Sequence, residues 1–450
     1  MDRSIVLNIR GGAKVCVPGD LEQITPYVLL EQEDWFEHEI RFARKLLAPG
    51  GRAVDIGANY GLYTLALAAG AGPQGRVWAC EPTPRTADYL EQSLALNKQP
   101  QVQLLRLAVS DRAGPAHLTI TENPELNSLA AGSAPGTIEV PAARLDNLAS
   151  EFAWQDIDFV KIDVEGHELA VIEGGEVFFK TQSPLVMFEI TSDAGTKLHP
   201  ITRFRSLGYR MYRLVPGPGL LAPITPGESL DPYTLNLFCC KPDRAQALQR
   251  AGLLADGGAP SASAHAVPED ALSCHRAASN ASENPDSRLW LLRRALESAS
   301  RDSAAGSLPA LMTHARIASD WGERQLALRN LKIASKSLLD RWQDAARVPF
   351  LPPDERFDSI APDGNERDRI VCAFVEGMAA LTAHSSIFAG ESLLPMLELV
   401  ASNPFQAPRT VRCRQLVRMR AGMQAGPEPH PLLAEPSELN LNSWYWQGNR

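Results

Sequence analysis

The 450-residue sequence has no apolar run of bilayer length, no C-x-x-C pair and no excess of basic charge. Its apolar stretches stop short of the roughly 20 residues that a membrane helix needs. The opening run at residues 1–7 breaks at Arg10 and Gly11 before a signal-peptide core forms, so a cytoplasmic protein without a transmembrane segment is expected. Seven cysteines, at 16, 80, 239, 240, 274, 372 and 413, form an odd set without metal-ligand spacing and read as reduced, mostly buried thiols. A formal net charge of -9 argues against a broad phosphate-binding surface, and so against nucleic acid as a partner. What remains, 44% hydrophobic and 22% charged, is the composition of a globular protein, and the length calls for two or three domains.

One stretch organises the rest. From Ala53 to Leu65 an apolar run ends at Asp55-Ile56, turns through Gly57 and Gly61 around Asn59, and resumes with helical period at Leu62, Leu65, Ala66 and Ala69. This is a strand, a tight turn and a helix, whose first amides face any ligand at the carboxyl edge of a parallel sheet. A second strand from Arg76 ends on Glu81, where nucleotide-binding folds place the carboxylate that accepts from ribose hydroxyls. The turn spells G-A-N-Y-G and not G-x-G-x-x-G, which disfavours a pyrophosphate ligand and favours S-adenosylmethionine. Asp55, Gly57, Asn59, Gly61 and Glu81 are therefore candidate cofactor residues, joined by Ser110 and Asp111 at the exit of a third strand, Leu104 to Val109, where an adenine would lie.

Further along, Phe159 to Asp163 reads as a fourth strand that turns through Val164-Glu165-Gly166-His167-Glu168 into a helix, and Leu185 to Ile190 as a fifth. If these strands are neighbours, Glu189 stands beside the Asp163 turn. Asp163, Glu165, His167 and Glu189 are the candidates for the reacting centre. His167 could serve as base, or a carboxylate whose pKa is raised by burial or a like-charged neighbour; alternatively, two or three carboxylates could hold Mg2+. An amino-terminal cap of the helix by Asp163 and Glu165 is the purely structural alternative.

The ordered motifs V-D-I-G-A-N-Y-G-L-Y-T, C-E-P-T-P, L-A-L-N, A-V-S-D, V-K-I-D-V-E-G-H-E, V-M-F-E-I and N-L-F resemble the FkbM-type methyltransferase family over about residues 30 to 240. The resemblance implies an α/β, class I (Rossmann-like) methyltransferase sheet with helices on both faces, S-adenosylmethionine as cofactor, and methylation of hydroxyl oxygens on glycans or natural products. It supports Asp163, Glu165, Gly166 and Glu168 as motif members, leaves position 167 freer, and places Asn127 and Ser128 in a loop near the cofactor. A non-catalytic relative, an N-methyltransferase and a nucleotide-dependent oxidoreductase are the competing readings.

Around this core, residues 4–17 suggest a leading hairpin split by Gly11-Gly12, and Asp34 to Leu47 a helix that can close over the first strand. Segments Ala116–Thr121 and Thr137–Val140 read as a hairpin inserted at one edge of the sheet. The catalytic domain is expected to span residues 1–241, followed by a flexible Ala/Ser/Gly/Pro linker at 242–285 with at most one short helix, and by a separate all-α domain at 286–450. In that domain Leu289, Leu292 and Leu296 begin a series of apolar stripes, and Gly322 separates two helices in a weakly tetratricopeptide-like pair. Acceptor recognition and protein-partner binding are both open to it, and the aromatic terminus around Trp444, Tyr445 and Trp446 is expected to dock on it.

Overall fold

The computed structural model describes residues 4–130, 132–190, 198–225, 227–257, 268–280, 284–360, 364–423, 430–437 and 440–447. Eight strands form the central sheet: β1 (Arg52–Ile56), β2 (Arg76–Cys80), β3 (Val102–Leu105), β4 (Phe159–Ile162), β5 (Leu185–Glu189), β6 (Arg210–Val215), β7 (Leu220–Pro223) and β8 (Asn236–Cys240). Their spatial order is β7-β6-β8-β5-β4-β1-β2-β3. The strands from β5 to β3 are parallel neighbours, and β8, β6 and β7 add antiparallel pairs at the other edge. Strand order reverses between β1 and β4, the position where open α/β sheets leave a crevice at their carboxyl ends. Register places Ile56 opposite both Cys80 and Ile162, so that Gly57, Glu81 and Asp163 leave the sheet at one level.

The pleat sorts alternate residues to opposite faces. Ala53, Val77, Phe159 and Met187 pack with the helix Leu62–Ala71 on one side. Val54, Trp78, Val160 and Phe188 pack with the helices Glu168–Gly174 and Glu176–Thr181 on the other. Runs that are apolar at every position follow from this two-sided burial.

Several expectations need correction. The third strand is not continuous: the chain leaves the main sheet after Leu105, and Ala108–Ser110 joins a separate four-stranded sheet with Thr137–Arg144, Gly114–Thr119 and Ser128–Ala130. The expected inserted hairpin belongs to this second sheet and not to the edge of the first. The helix expected from Asp34 begins at His38, and an unforeseen helix, Ile24–Gln32, precedes it. From Thr25 onward every residue of that earlier helix is buried, so it offers no amphipathic period to read. Segment 242–285 holds two helices, Pro242–Arg250 and Ala271–Ser279, whose Leu248 and Cys274 are buried in cores. Residues 258–267 of the expected linker lie outside the described residues.

The leading hairpin pairs Ser4–Asn8 with Lys14–Pro18 as its glycines suggested. In the helical region, Leu308–Trp321 and Arg324–Ala334 pack across Gly322, which caps the first of them in a left-handed conformation at φ 95°. This region does not stand apart from the sheet. Val411, Leu416, Leu433, Tyr445 and Trp446 share one core with the hairpin and with the helices that cover β1. The aromatic terminus therefore docks on the amino-terminal part of the chain, where the Asn8 amide donates to Asn442 Oδ1 at 2.9 Å.

All seven cysteines are buried and free. Among the described residues no single helix is long and apolar enough to cross a membrane.

Candidate active site

The cleft lies where strand order reverses. Gly57 holds φ at 79°, and a Cβ there would sit 1.8 Å from the Asp163 carbonyl, so only glycine lets β1 and β4 end this close together. Gly61, at φ 89°, starts the next helix beneath Leu90. Between them the Asn59 amide donates to Glu81 Oε2 at 2.9 Å, while the Thr83 amide donates to Glu81 Oε1 at 2.8 Å. Burial raises the pKa of Glu81, and these amides oppose the rise. The carboxylate is thus fixed at the cleft wall, 5% exposed, with lone pairs to spare for a diol. Asn59 Oδ1 beside it is buried without a partner.

On the other side of the crevice, Asp163, Glu165 and Glu189 each offer a carboxylate oxygen within 4.8 Å of the others. Glu165 at φ 52° and Gly166 at φ 90° form a turn that puts Glu165 in the cleft before the helix begins at Glu168. Burial and then Asp163 push Glu165 up to about 8. The same two causes push Glu189 to about 9, and its Oε2 has no hydrogen-bond partner. Lys161 lies beneath, with Nζ 2.9 Å from Asp163 Oδ2, 3.6 Å from Asp55 Oδ1 and 3.1 Å from the Gly57 carbonyl. Burial alone would lower its pKa, but Asp163 and Asp55 outweigh this and hold it above the ordinary lysine value.

Not every candidate reaches this space. Asp55 is fully buried, takes the Thr64 hydroxyl at 2.6 Å and faces Lys161, so it braces the turn from below and does not line the cleft. His167 points away: its Nε2 lies 2.9 Å from Ser110 Oγ, and burial lowers its pKa. Ser110 and Asp111 are likewise absent from the cleft wall, because the chain has already turned into the second sheet; Leu107, Ala108 and Val109 reach it in their place. Asn127 and Ser128 do line the cleft, and Asn127 Nδ2 donates to Thr83 Oγ1 at 3.4 Å.

Four lining residues escaped sequence reasoning. Glu37 accepts from the Tyr63 hydroxyl at 2.5 Å, and burial and then Asp163 raise its pKa. Lys161 was hidden as one polar letter in an apolar strand. Thr25 donates to Glu125 through its hydroxyl and, at 3.0 Å, its amide, tying the first helix to the 123–127 loop across the cleft. Phe388 arrives from the helical region, 53% exposed, with its ring centroid 6.0 Å from that of Phe36. No local pattern announces a contact across that separation; only Glu37, within the expected lid helix, had a signal to follow.

Residues 55–211 match the model of the methyltransferase FkbM domain. Methyltransferase sdnD of Sordaria araneosa is 29% identical over 153 residues, which cover 27% of this chain and 59% of that protein. The chain thus spans about three fifths of the length of this curated relative. Among solved structures, the methyltransferase FkbM from Methylobacillus flagellatus is 16% identical, covering 44% of this chain and 47% of its own with a TM-score of 0.31. An S-adenosylmethionine-dependent O-methyltransferase from Thermotoga maritima is also 16% identical, covering 53% and 77% with a TM-score of 0.28. Gly57, Glu81, Asp163, Glu165 and Glu189 all fall in the segment that the family model covers: within this longer chain, the match identifies residues 55–211 as a methyltransferase FkbM domain.

Proposed function

We propose that the chain is an S-adenosylmethionine-dependent O-methyltransferase acting on a hydroxyl of a saccharide in glycan biosynthesis, or of a hydroxylated natural product. The observation that carries this reading is the Glu189 carboxyl. It ends β5 in the cleft with one oxygen unpartnered and its pKa raised to about 9. A carboxylate that binds protons this well is a competent base for an alcohol in a low-dielectric site.

S-adenosylmethionine, when bound, supplies the electrophilic methyl. The residues present suit it: Glu81 can accept from both ribose hydroxyls, the buried Asn59 Oδ1 lacks a partner, and the turn from Gly57 to Gly61 cradles no phosphate. The acceptor oxygen would lose its proton to Glu189 while held in line for attack, with Glu165 and Glu37 fixing neighbouring hydroxyls. Lys161 holds Asp163 in place at 2.9 Å.

One distance favours a second reading of the same cluster. Three carboxylate oxygens within 4.8 Å of one another are hard donors of the kind Mg2+ takes. Asp163, Glu165 and Glu189 would hold it, and it would acidify a bound hydroxyl.

The test combines calorimetric titration of S-adenosylmethionine with transfer of labelled methyl to a panel of oligosaccharides, with and without EDTA. Binding together with transfer that rises through pH 8 to 9 and resists EDTA is expected. Loss of transfer in EDTA, restored by Mg2+, would select the metal reading, and absence of cofactor binding would remove both.

A further inference from the structure

The cleft does not end at the carboxylates. Trp35, Phe36, Glu37 and Leu235 border it and also border a second cavity of about 700 Å3 between the sheet and the helical region. That volume lies within the ~300–1,000 Å3 typical of ligand pockets. Much of its wall comes from residues 316 to 413, so the helical region completes a space that opens into the site.

Besides Lys45 and Arg324, the cations along this wall fall into two groups. Arg213, Arg316, Arg356 and Arg412 each face a carboxylate, with Glu228, Asp320, Glu376 and Glu33 at 3.0, 3.1, 2.7 and 3.3 Å. Arg10 and Arg409 line the same cavity and form no ion pair among the described residues. Arg41 has only a 3.8 Å contact with Glu355, between side chains 52% and 70% exposed, which is too open to neutralise it. These three cations sit near one another: burial lowers the pKa of Arg10, Arg41 adds to the fall, Asp34 opposes it, Arg409 lowers it further and Glu33 opposes in turn. Three guanidinium groups at one corner of a cavity, in a wall that also carries acids such as Asp34, Glu39, Asp231 and Glu323, are a recognition surface for an oxyanion, which guanidinium groups bind in bidentate fashion.

Position gives the site its use. Arg41 lies one helical turn beyond Glu37, the residue that borders both spaces. Trp35 and Phe36, with centroids 4.5 Å apart, offer aromatic faces where the two spaces meet, and Phe388 adds a ring on the cleft side.

We propose that the acceptor enters through this interdomain cavity and carries a carboxylate or phosphoryl group, which Arg10, Arg41 and Arg409 bind while the hydroxyl to be methylated reaches Glu189. This deepens the O-methyltransferase reading and rests on it. The helical region is then the acceptor-binding half of the enzyme.

The test uses the full chain in calorimetric titrations with tetragalacturonate, glucose 6-phosphate and, as neutral control, maltotetraose. At least one anionic probe should bind tenfold or more tightly than the control, and which one does so distinguishes carboxylate from phosphoryl recognition. Arg10→Gln/Arg409→Gln should abolish the difference while S-adenosylmethionine affinity and the melting temperature stay unchanged. The exposed Arg41→Gln, which removes no buried group, should weaken the same probe several-fold. Equal binding of charged and neutral probes, or full retention by both variants, would overturn the proposal. Failure of the functional reading appears separately, as absence of S-adenosylmethionine binding.

Discussion

The buried acids of the helical interface and those of the cleft differ in how completely they are satisfied. At the interface, Glu31 takes the Ser386 amide at 2.9 Å, the Ser385 hydroxyl at 3.1 Å and the Ser386 hydroxyl. Glu33 takes the Asn442 amide at 2.9 Å and faces Arg412 at 3.3 Å. Glu376 takes the Ala407 amide, the Thr410 hydroxyl and Arg356, each within 2.8 Å. In the cleft, Glu189 has an orphaned oxygen and its nearest charges are other carboxylates. Fully buried acids at the interface and half-buried acids in the cleft thus serve opposite ends. A carboxylate surrounded by donors locks two elements together, whereas one surrounded by its own kind holds protons and keeps lone pairs free for a ligand.

Four substitutions or titrations test that contrast. Glu189→Gln keeps the shape and removes the base, so methyl transfer should fall roughly 10²- to 10⁴-fold while circular dichroism stays unchanged. Transfer at the parental rate would take the proton-acceptor role away from this residue. On the satisfied side, Arg412→Ala strands Glu33 where both are 1% exposed, and should cost about 3–5 kcal/mol in a denaturant titration. A variant as stable as the parent would mean that the interface does not depend on the pair. Glu81→Ala should weaken S-adenosylmethionine binding by about 1.5–3 kcal/mol through loss of charge-assisted hydrogen bonds; an unchanged dissociation constant would leave the carboxylate a purely structural brace for the Asn59 and Thr83 amides.

The smallest effect is on stability against pH. Glu165 and Glu189 titrate near 8 and 9 in the fold, above the ordinary 4.5. Between those values the folded state holds more protons than the unfolded one, so these groups make stability fall as pH rises through the window. The melting temperature of Glu189→Gln, compared with the parent from pH 5 to 9, should show a shallower decline. Parallel curves would mean that Glu189 is not held protonated.

The strand-turn-helix at Ala53 to Leu65 was legible because local chemistry dictates it: an apolar run, a glycine that must take a positive φ, and a helical period directly after. The neighbouring positions of Asp163 and Glu189 were legible through one assumption, that their strands pair, and β4 and β5 do pair. The register also carried Glu81 to the same edge. Misreadings arose where the chain leaves its period. Nothing in Leu104 to Val109 marks the step from one sheet to another, so Ser110 and Asp111 were assigned to a wall they do not reach. His167 looked like a cleft residue by proximity in sequence, but the left-handed turn at Glu165 and Gly166 sends it toward Ser110. The helix Ile24–Gln32 went unseen because burial on all sides erases amphipathicity. Phe388 and the arginines of the second cavity come from segments hundreds of residues apart, where only the tertiary fold brings them together.

The contacts between the two ends of the chain bear on when the site can form. Tyr27 meets Ser386 at 2.9 Å, Gln32 Nε2 meets the His384 carbonyl at 2.6 Å, and Asn8 meets Asn442 at 2.9 Å. Each closes a loop of more than 350 residues, so these contacts form late, after the entropy of ordering everything between them has been overcome. During synthesis the methyltransferase segment emerges well before the residues that wall its acceptor side. The turn from Gly57 to Glu81 can therefore order before the last helices, which complete the wall of the second cavity, have emerged.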